Sequence, residues 1–125
     1  MIFNQTILKV SDNTGVKLTK CIKIYKNKNY AKLGETVLLT IKKIKKTEKK
    51  KKINLEKSNK VKGTIVRTKK ISKNIINNDI LFYENSIVCI DQKNEPIGNK
   101  ILGPIPCILR KKKLFKIILI SSILI

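Results

Sequence analysis

Gly63-Thr64-Ile65-Val66-Arg67-Thr68-Lys69-Lys70 is a short β-prone run that leads directly into a cluster of cations. Ile65 and Val66 are β-branched and suit a half-buried pleated strand, while Arg67, Lys69 and Lys70 bring three positive charges to its exit. For these eight residues alone two readings stay open: an ordinary strand ended by a solvated basic turn, or a wall strand that delivers charge to a partner. The neighbouring sequence decides between them.

Working outward, the strand extends over residues 60–68, and Gly63 allows close approach of another backbone. Upstream, Thr36–Ile44 carries the strongest strand pattern, with Val37, Leu39 and Ile41 on one face and Leu38 on the other. Residues 5–10 read as a first strand and 11–15, Ser-Asp-Asn-Thr-Gly, as a dense turn in which Asp12 and Asn13 are turn formers. Residues 16–25 give a second strand, with Val16, Leu18, Ile22 and Ile24 on one face and a bulge or opening at Lys20. Residues 27–34 form a polar, basic loop.

Downstream, 71–78 is a turn region, 80–82 and 86–90 are two short strands or one kinked one, and 96–104 is a stiff loop punctuated by Gly and Pro. After Pro106 alternation gives way to denser apolar runs, which predict one or two short C-terminal helices. The expected architecture is mostly β: a small five-stranded β-barrel with appendages over 1–105 and a helical tail over 106–125, together one domain.

A chain of 125 residues is long enough for one core, burying about two-thirds of the surface of its unfolded form. Its 29 Lys plus Arg against 8 Asp plus Glu leave a net charge of +21, and such self-repulsion calls for a polyanionic partner. Fourteen Lys and Arg67 lie within residues 42–73 against Glu48 and Glu56, a net +13 in a quarter of the chain. The run Lys45, Lys46, Lys49, Lys50, Lys51 and Lys52 is either a solvated loop or, given that concentration, an electrostatic footprint for phosphates. Six aromatic residues, three Tyr and three Phe, are too few for a single-strand stacking platform, so recognition of folded RNA by shape and backbone is expected.

Other classes fit less well. Cys21, Cys89 and Cys107 are far apart and there is no His, so no metal or redox spacing exists, and each Cys reads as a small residue in a reducing compartment. No cofactor motif or catalytic constellation is present, and neither a cofactor nor an enzyme is expected. The most apolar stretch, residues 114–125, is short and interrupted by Lys116, Ser121 and Ser122, so it reads as a packed end rather than a membrane anchor. Lys (27), Ile (23) and Asn (12) make up half of the chain, a bias of AT-rich codons that suggests an organelle or a reduced bacterial genome. Residues 1–6 carry no Arg- or Ser-rich presequence, which is consistent with synthesis inside the organelle and equally with a processed form.

Several blocks, in order and over nearly the whole chain, resemble the universal large-subunit ribosomal protein L-fourteen family in its bacterial and organellar form. They are Gln5-Thr6-x-Leu8-x-Val10-x-Asp12-Asn13-x-Gly15, then Cys21-Ile22-Lys23, then Ile65-Val66-Arg67-Thr68-Lys69-Lys70. Phe82-x-x-Asn85-x-x-Val88, Pro96-Ile97-Gly98, Ile101-x-Gly103-Pro104, Leu109-Arg110 and Lys116-Ile117-Ile118 follow. The sequence departs from the family pattern where Ile76-Asn77 stands for Asp-Gly, Asn99-Lys100 for Thr-Arg and Cys107-Ile108 for Arg-Glu, and in a longer lysine run. A Lys in place of Arg keeps charge and loses the bidentate fork.

The resemblance implies a five-stranded barrel with a projecting β-ribbon and small C-terminal helices, bound to large-subunit rRNA. It also implies a place on the face toward small-subunit rRNA, a part in an intersubunit bridge, and contact with proteins of the L-nineteen and L-three families. In some lineages a silencing or assembly factor binds as well. The residues expected at rRNA are the Lys45–Lys52 run, Arg67, Lys69, Lys70 and Lys73, and those expected at the intersubunit or partner face are Asn99, Lys100 and Arg110. Two alternatives stand beside these assignments: Arg67 paired with Glu84 or another acid in the barrel, and Asn99 holding only its own loop. A free-standing barrel that binds single-stranded nucleic acid is the alternative function, and the cytoplasm of an AT-rich bacterium the alternative to an organellar ribosome.

Overall fold

The computed structural model describes residues 1–25, 29–45, 55–73 and 78–125. Five strands close into a barrel: β1 (Ile7–Val10), β2 (Val16–Ile24), β3 (Thr36–Ile44), β4 (Lys60–Arg67) and, after a small two-stranded ribbon of β5 (Ser72–Lys73) and β6 (Asp79–Ile80), β7 (Ser86–Ile90). Neighbours are antiparallel except β1 and β7, which close the ring in parallel with Lys9 opposite Ser86. The fold is thus the small five-stranded barrel expected, with one short helix and a 3-10 turn near its C-terminus.

β3 follows the sequence pattern: Val37, Leu39 and Ile41 are buried, and Leu38 and Thr40 lie on the outer face. Gly63 faces Leu39, and a Cβ there would stand 2.5 Å from Leu39 Cδ1 and 3.3 Å from the Val88 backbone oxygen, so it permits close approach of a core side chain as well as of the neighbouring backbone.

β2 corrects the expected face. Val16, Thr19, Cys21 and Ile24 are buried, while Leu18 and Ile22 are only half-buried, because the pairing with β3 slips around Leu18 and again between Cys21 and Lys23. Each slip moves the following side chains to the other face, and strict alternation cannot report it.

The end of the chain departs further. Ile101–Ile105, expected as a loop, is a strand, β8, and the tail is not wholly helical. The 3-10 turn Cys107–Arg110 and the five-residue helix α1 (Phe115–Leu119) are followed by β9 (Ser121–Leu124), which pairs in parallel with β8. Pro104 is tolerated because this ladder is only two strands wide and slips beside Gly103, whose φ is +83°. Ile101, Ile105, Leu109 and Ile117 join the barrel residues in one buried cluster, so the tail completes the core. The expected turn at Ile76-Asn77 lies outside the described residues.

Candidate nucleic-acid interface

Register across the barrel assembles charges that are distant in sequence. On the outer face Lys20 stands opposite Thr40, which stands opposite Lys60; one step along, Lys23, Leu38 and Lys62 form a second row. Strands lie about 4.8 Å apart, so each row spreads two ammonium stems about 10 Å apart, and the rows are separated by two residues on β3 and β4, about 7 Å, and by three on β2, where the register slips. Among the described residues none of these four lysines is held in an ion pair. The arrangement is a rectangle of cations on a rigid sheet. Lys42, Lys43 and Lys45, all exposed, continue the charge toward the exit of β3, where the Lys45 N–H donates to Gly15 O at 2.8 Å.

Of the residues singled out by sequence, Lys69 and Lys70 are exposed just beyond β4, and Lys73 is exposed on β5. The Lys69 N–H donates to Asn85 Oδ1 at 2.8 Å, which fixes the backbone at the strand exit and leaves the ammonium outside. Lys46, Lys49, Lys50, Lys51 and Lys52 lie outside the described residues.

Arg67 is placed differently from the phosphate contact expected of it. Its side chain is 8% exposed, and its guanidinium donates through Nε to Pro104 O at 2.7 Å, through one terminal nitrogen to Glu84 at 2.9 Å, and through the other to Leu102 O. The fork passes over Gly103, where a Cβ would stand 2.6 Å from the guanidinium. Arg67 therefore fastens β8 to the barrel, and the alternative pairing with Glu84 is the one observed.

Glu84 is shared. Lys9 Nζ donates to its second oxygen at 2.7 Å, and this ammonium, with Arg67 adding to it against opposing burial, holds the Glu84 carboxyl below the usual glutamate range. Asp12 behaves oppositely: burial pushes its carboxyl above the usual range, although the Cys89 N–H, at 2.7 Å, and the Thr14 N–H and hydroxyl favour the charged form. Asp12 thus ties the first turn to β7.

The signs follow from linkage. Glu84, depressed in the folded chain, contributes stability that is present above its unfolded value of about 4.3 and is lost as pH falls through the folded one. Asp12, raised in the folded chain, withholds stability at neutral pH and returns it as pH falls from above its folded value to below its unfolded one. Urea unfolding followed by circular dichroism is expected to show acid destabilisation below about pH 4 that is smaller in the Glu84→Gln chain. Identical acid profiles for the two chains would show that this network does not titrate as described.

Asn99 and Lys100 are exposed, and both backbone N–H groups donate to Asn13 Oδ1, at 2.9 and 3.3 Å. The late loop is clamped to the first turn, with its side chains outward. Arg110, exposed with Lys111, Lys112 and Lys113, lies beyond the other end of β8, on the order of 15–20 Å away by strand rise. The structure therefore does not gather Asn99, Lys100 and Arg110 into one patch.

Burial pushes the Cys21 thiol up and the Cys89 thiol well up, which suppresses thiolate formation. Among the described residues no group of three His, Cys, Asp or Glu could hold a metal, and no helix is long and apolar enough to cross a membrane.

The lysine rows were missed in the sequence because Lys20, Lys23, Lys60 and Lys62 belong to strands whose register is set by pairing. The only local signal was their alternation with buried neighbours. Residues 1–125, the whole chain, match the family model described as ribosomal protein L14p/L23e.

Proposed function

We propose that this chain, which belongs to the ribosomal protein L14p/L23e family and is a structural component of the large ribosomal subunit, holds large-subunit rRNA by the outer face of β2, β3 and β4. The observation that carries the reading is the double row Lys20–Thr40–Lys60 and Lys23–Leu38–Lys62, whose four cations meet no carboxylate partner among the described residues. Counterion release from the phosphates drives such binding, and no turnover is involved. Lys45, Lys69, Lys70 and Lys73 add to the footprint, and Lys46 and Lys49–Lys52 add charge by sequence.

In this reading Arg67 acts indirectly, ordering the strand exit from which Lys69 and Lys70 emerge. Asn99 and Lys100, on the clamped loop, face small-subunit rRNA across the subunit interface and contribute to a bridge, and Arg110 serves a separate contact. Exposed Leu102, Phe115, Leu119 and Ile123 on β8, α1 and β9 suit a protein neighbour, for which the L-nineteen and L-three families are the candidates. A silencing factor would reach the same side. The AT-rich composition favours an organellar ribosome, in a mitochondrion or plastid, over that of an AT-rich bacterium.

Gradient sedimentation of an extract at moderate salt tests the core of this reading. The chain is expected to migrate with large subunits and to leave them at high salt. Its presence wholly in light fractions would instead favour the free-standing barrel.

A further inference from the structure

A cleft of about 380 Å³ opens between the N-terminal residues, the loop before β3, the exit of β4 and the C-terminal turn. Its apolar lining is Leu33, Ile71 and Ile108 with the Tyr30 ring. Lys32, Lys70 and Lys112 also line it, and among the described residues none that lines it is Asp or Glu. The volume is that of a small-ligand site, about 300–1,000 Å³.

The aromatic wall is fixed rather than loose. Ile2 and Ala31 exchange two backbone hydrogen bonds, at 2.9 and 2.8 Å, which brings Phe3 against Tyr30 with ring centroids 6.1 Å apart. Lys32 Nζ sits 5.7 Å from the Tyr30 centroid, so the ring already supports a cation. Apolar residues beside three lysines, with Thr68 and Ser72 as neutral polar members of the lining, are complementary to a ligand with one flat apolar part and one anionic part.

We propose that this cleft receives a single unstacked nucleotide of large-subunit rRNA, its base against Tyr30, Ile71 and Ile108 and its flanking phosphates on Lys32, Lys70 and Lys112. A base within a duplex cannot enter, because its faces are covered by its neighbours, whereas an extruded base exposes both. The inference rests on the rRNA-binding reading above. It adds a base-sized contact to a footprint otherwise made of phosphates.

The test uses large subunits that carry the full chain, probed with dimethyl sulfate and a carbodiimide at base edges. In wild-type subunits one unpaired rRNA nucleotide is protected; in Ile71→Glu subunits its reactivity rises about tenfold, the scale of one lost base-stacking contact, and in Ile71→Val it does not. Ile71 is 58% exposed, so the substitution leaves the core alone. A photo-crosslinking residue at position 71 is expected to join that same nucleotide. Identical reactivity in the wild-type and Ile71→Glu subunits, or a crosslink to a protein or to a paired nucleotide, would overturn the inference while leaving the rRNA-binding reading intact. A wild-type chain that never enters large subunits would overturn both.

Discussion

Replacing Arg67 with Ala is expected to lower the unfolding free energy by about 3–5 kcal/mol, the scale for removing one partner of a buried charged network. The guanidinium is almost wholly buried and bonds three partners on two segments, the β8 carbonyls of Leu102 and Pro104 and the Glu84 carboxylate. Without it both carbonyls lose their charged donor, each such bond being worth about 1.5–3 kcal/mol. Glu84 suffers least, since Lys9 still reaches it. Arg67→Lys recovers less than half of the loss, because one ammonium cannot place donors in three directions. Gly103→Ala acts in the same sense by pushing a methyl into the guanidinium at a backbone conformation that disfavours it. Lys9→Ala, by contrast, breaks an exposed pair and costs about 1 kcal/mol or less. Denaturant midpoints rank the four variants, and a loss below about 1 kcal/mol for Arg67→Ala would mean that the fork fastens nothing.

The second large effect is on binding. Changing Lys20, Lys23, Lys60 and Lys62 together to Gln is expected to weaken association with large-subunit rRNA about a thousandfold near 0.1 M salt, and to flatten the dependence of log affinity on log salt by about 3–4. Each lysine that releases one counterion contributes close to one unit of slope, which makes the slope a count of contacts rather than a general measure of damage. Stability should hardly move, since the four side chains lie on the outer face and relief of self-repulsion offsets lost packing. Salt titration of filter binding provides both numbers. An unchanged slope would place the rows in solvent and return the binding role to the Lys45–Lys52 run.

Much of this was legible in residues alone. Val37, Leu39 and Ile41 alternate without interruption and are buried as alternation requires. The Asp12–Gly15 turn was recognisable from its residue types, although its further work was not: Asp12 holds β7 and Asn13 holds the late loop, partners 77 and 86 positions away in the chain. The inward face of β2 is not legible in the sequence because two slips reset it, and a slip is a property of a pair of strands. β8 and β9 are not legible locally because Gly103 and Pro104 signal a loop, overridden by a parallel partner that follows a turn and a helix.

By itself, then, the sequence determined the barrel class, the family, the excess of positive charge and the presence of an arginine able to pair with Glu84. These follow from local periodicity, from composition and from the order of motifs along the chain, none of which depends on how strands pair. Only the tertiary structure decided that Arg67 faces inward, that the tail ends as a strand, and that Lys20, Lys23, Lys60 and Lys62 form one surface. Those outcomes depend on strand register and on which side chain finds a buried acceptor, and both are set by contacts between segments far apart in the chain.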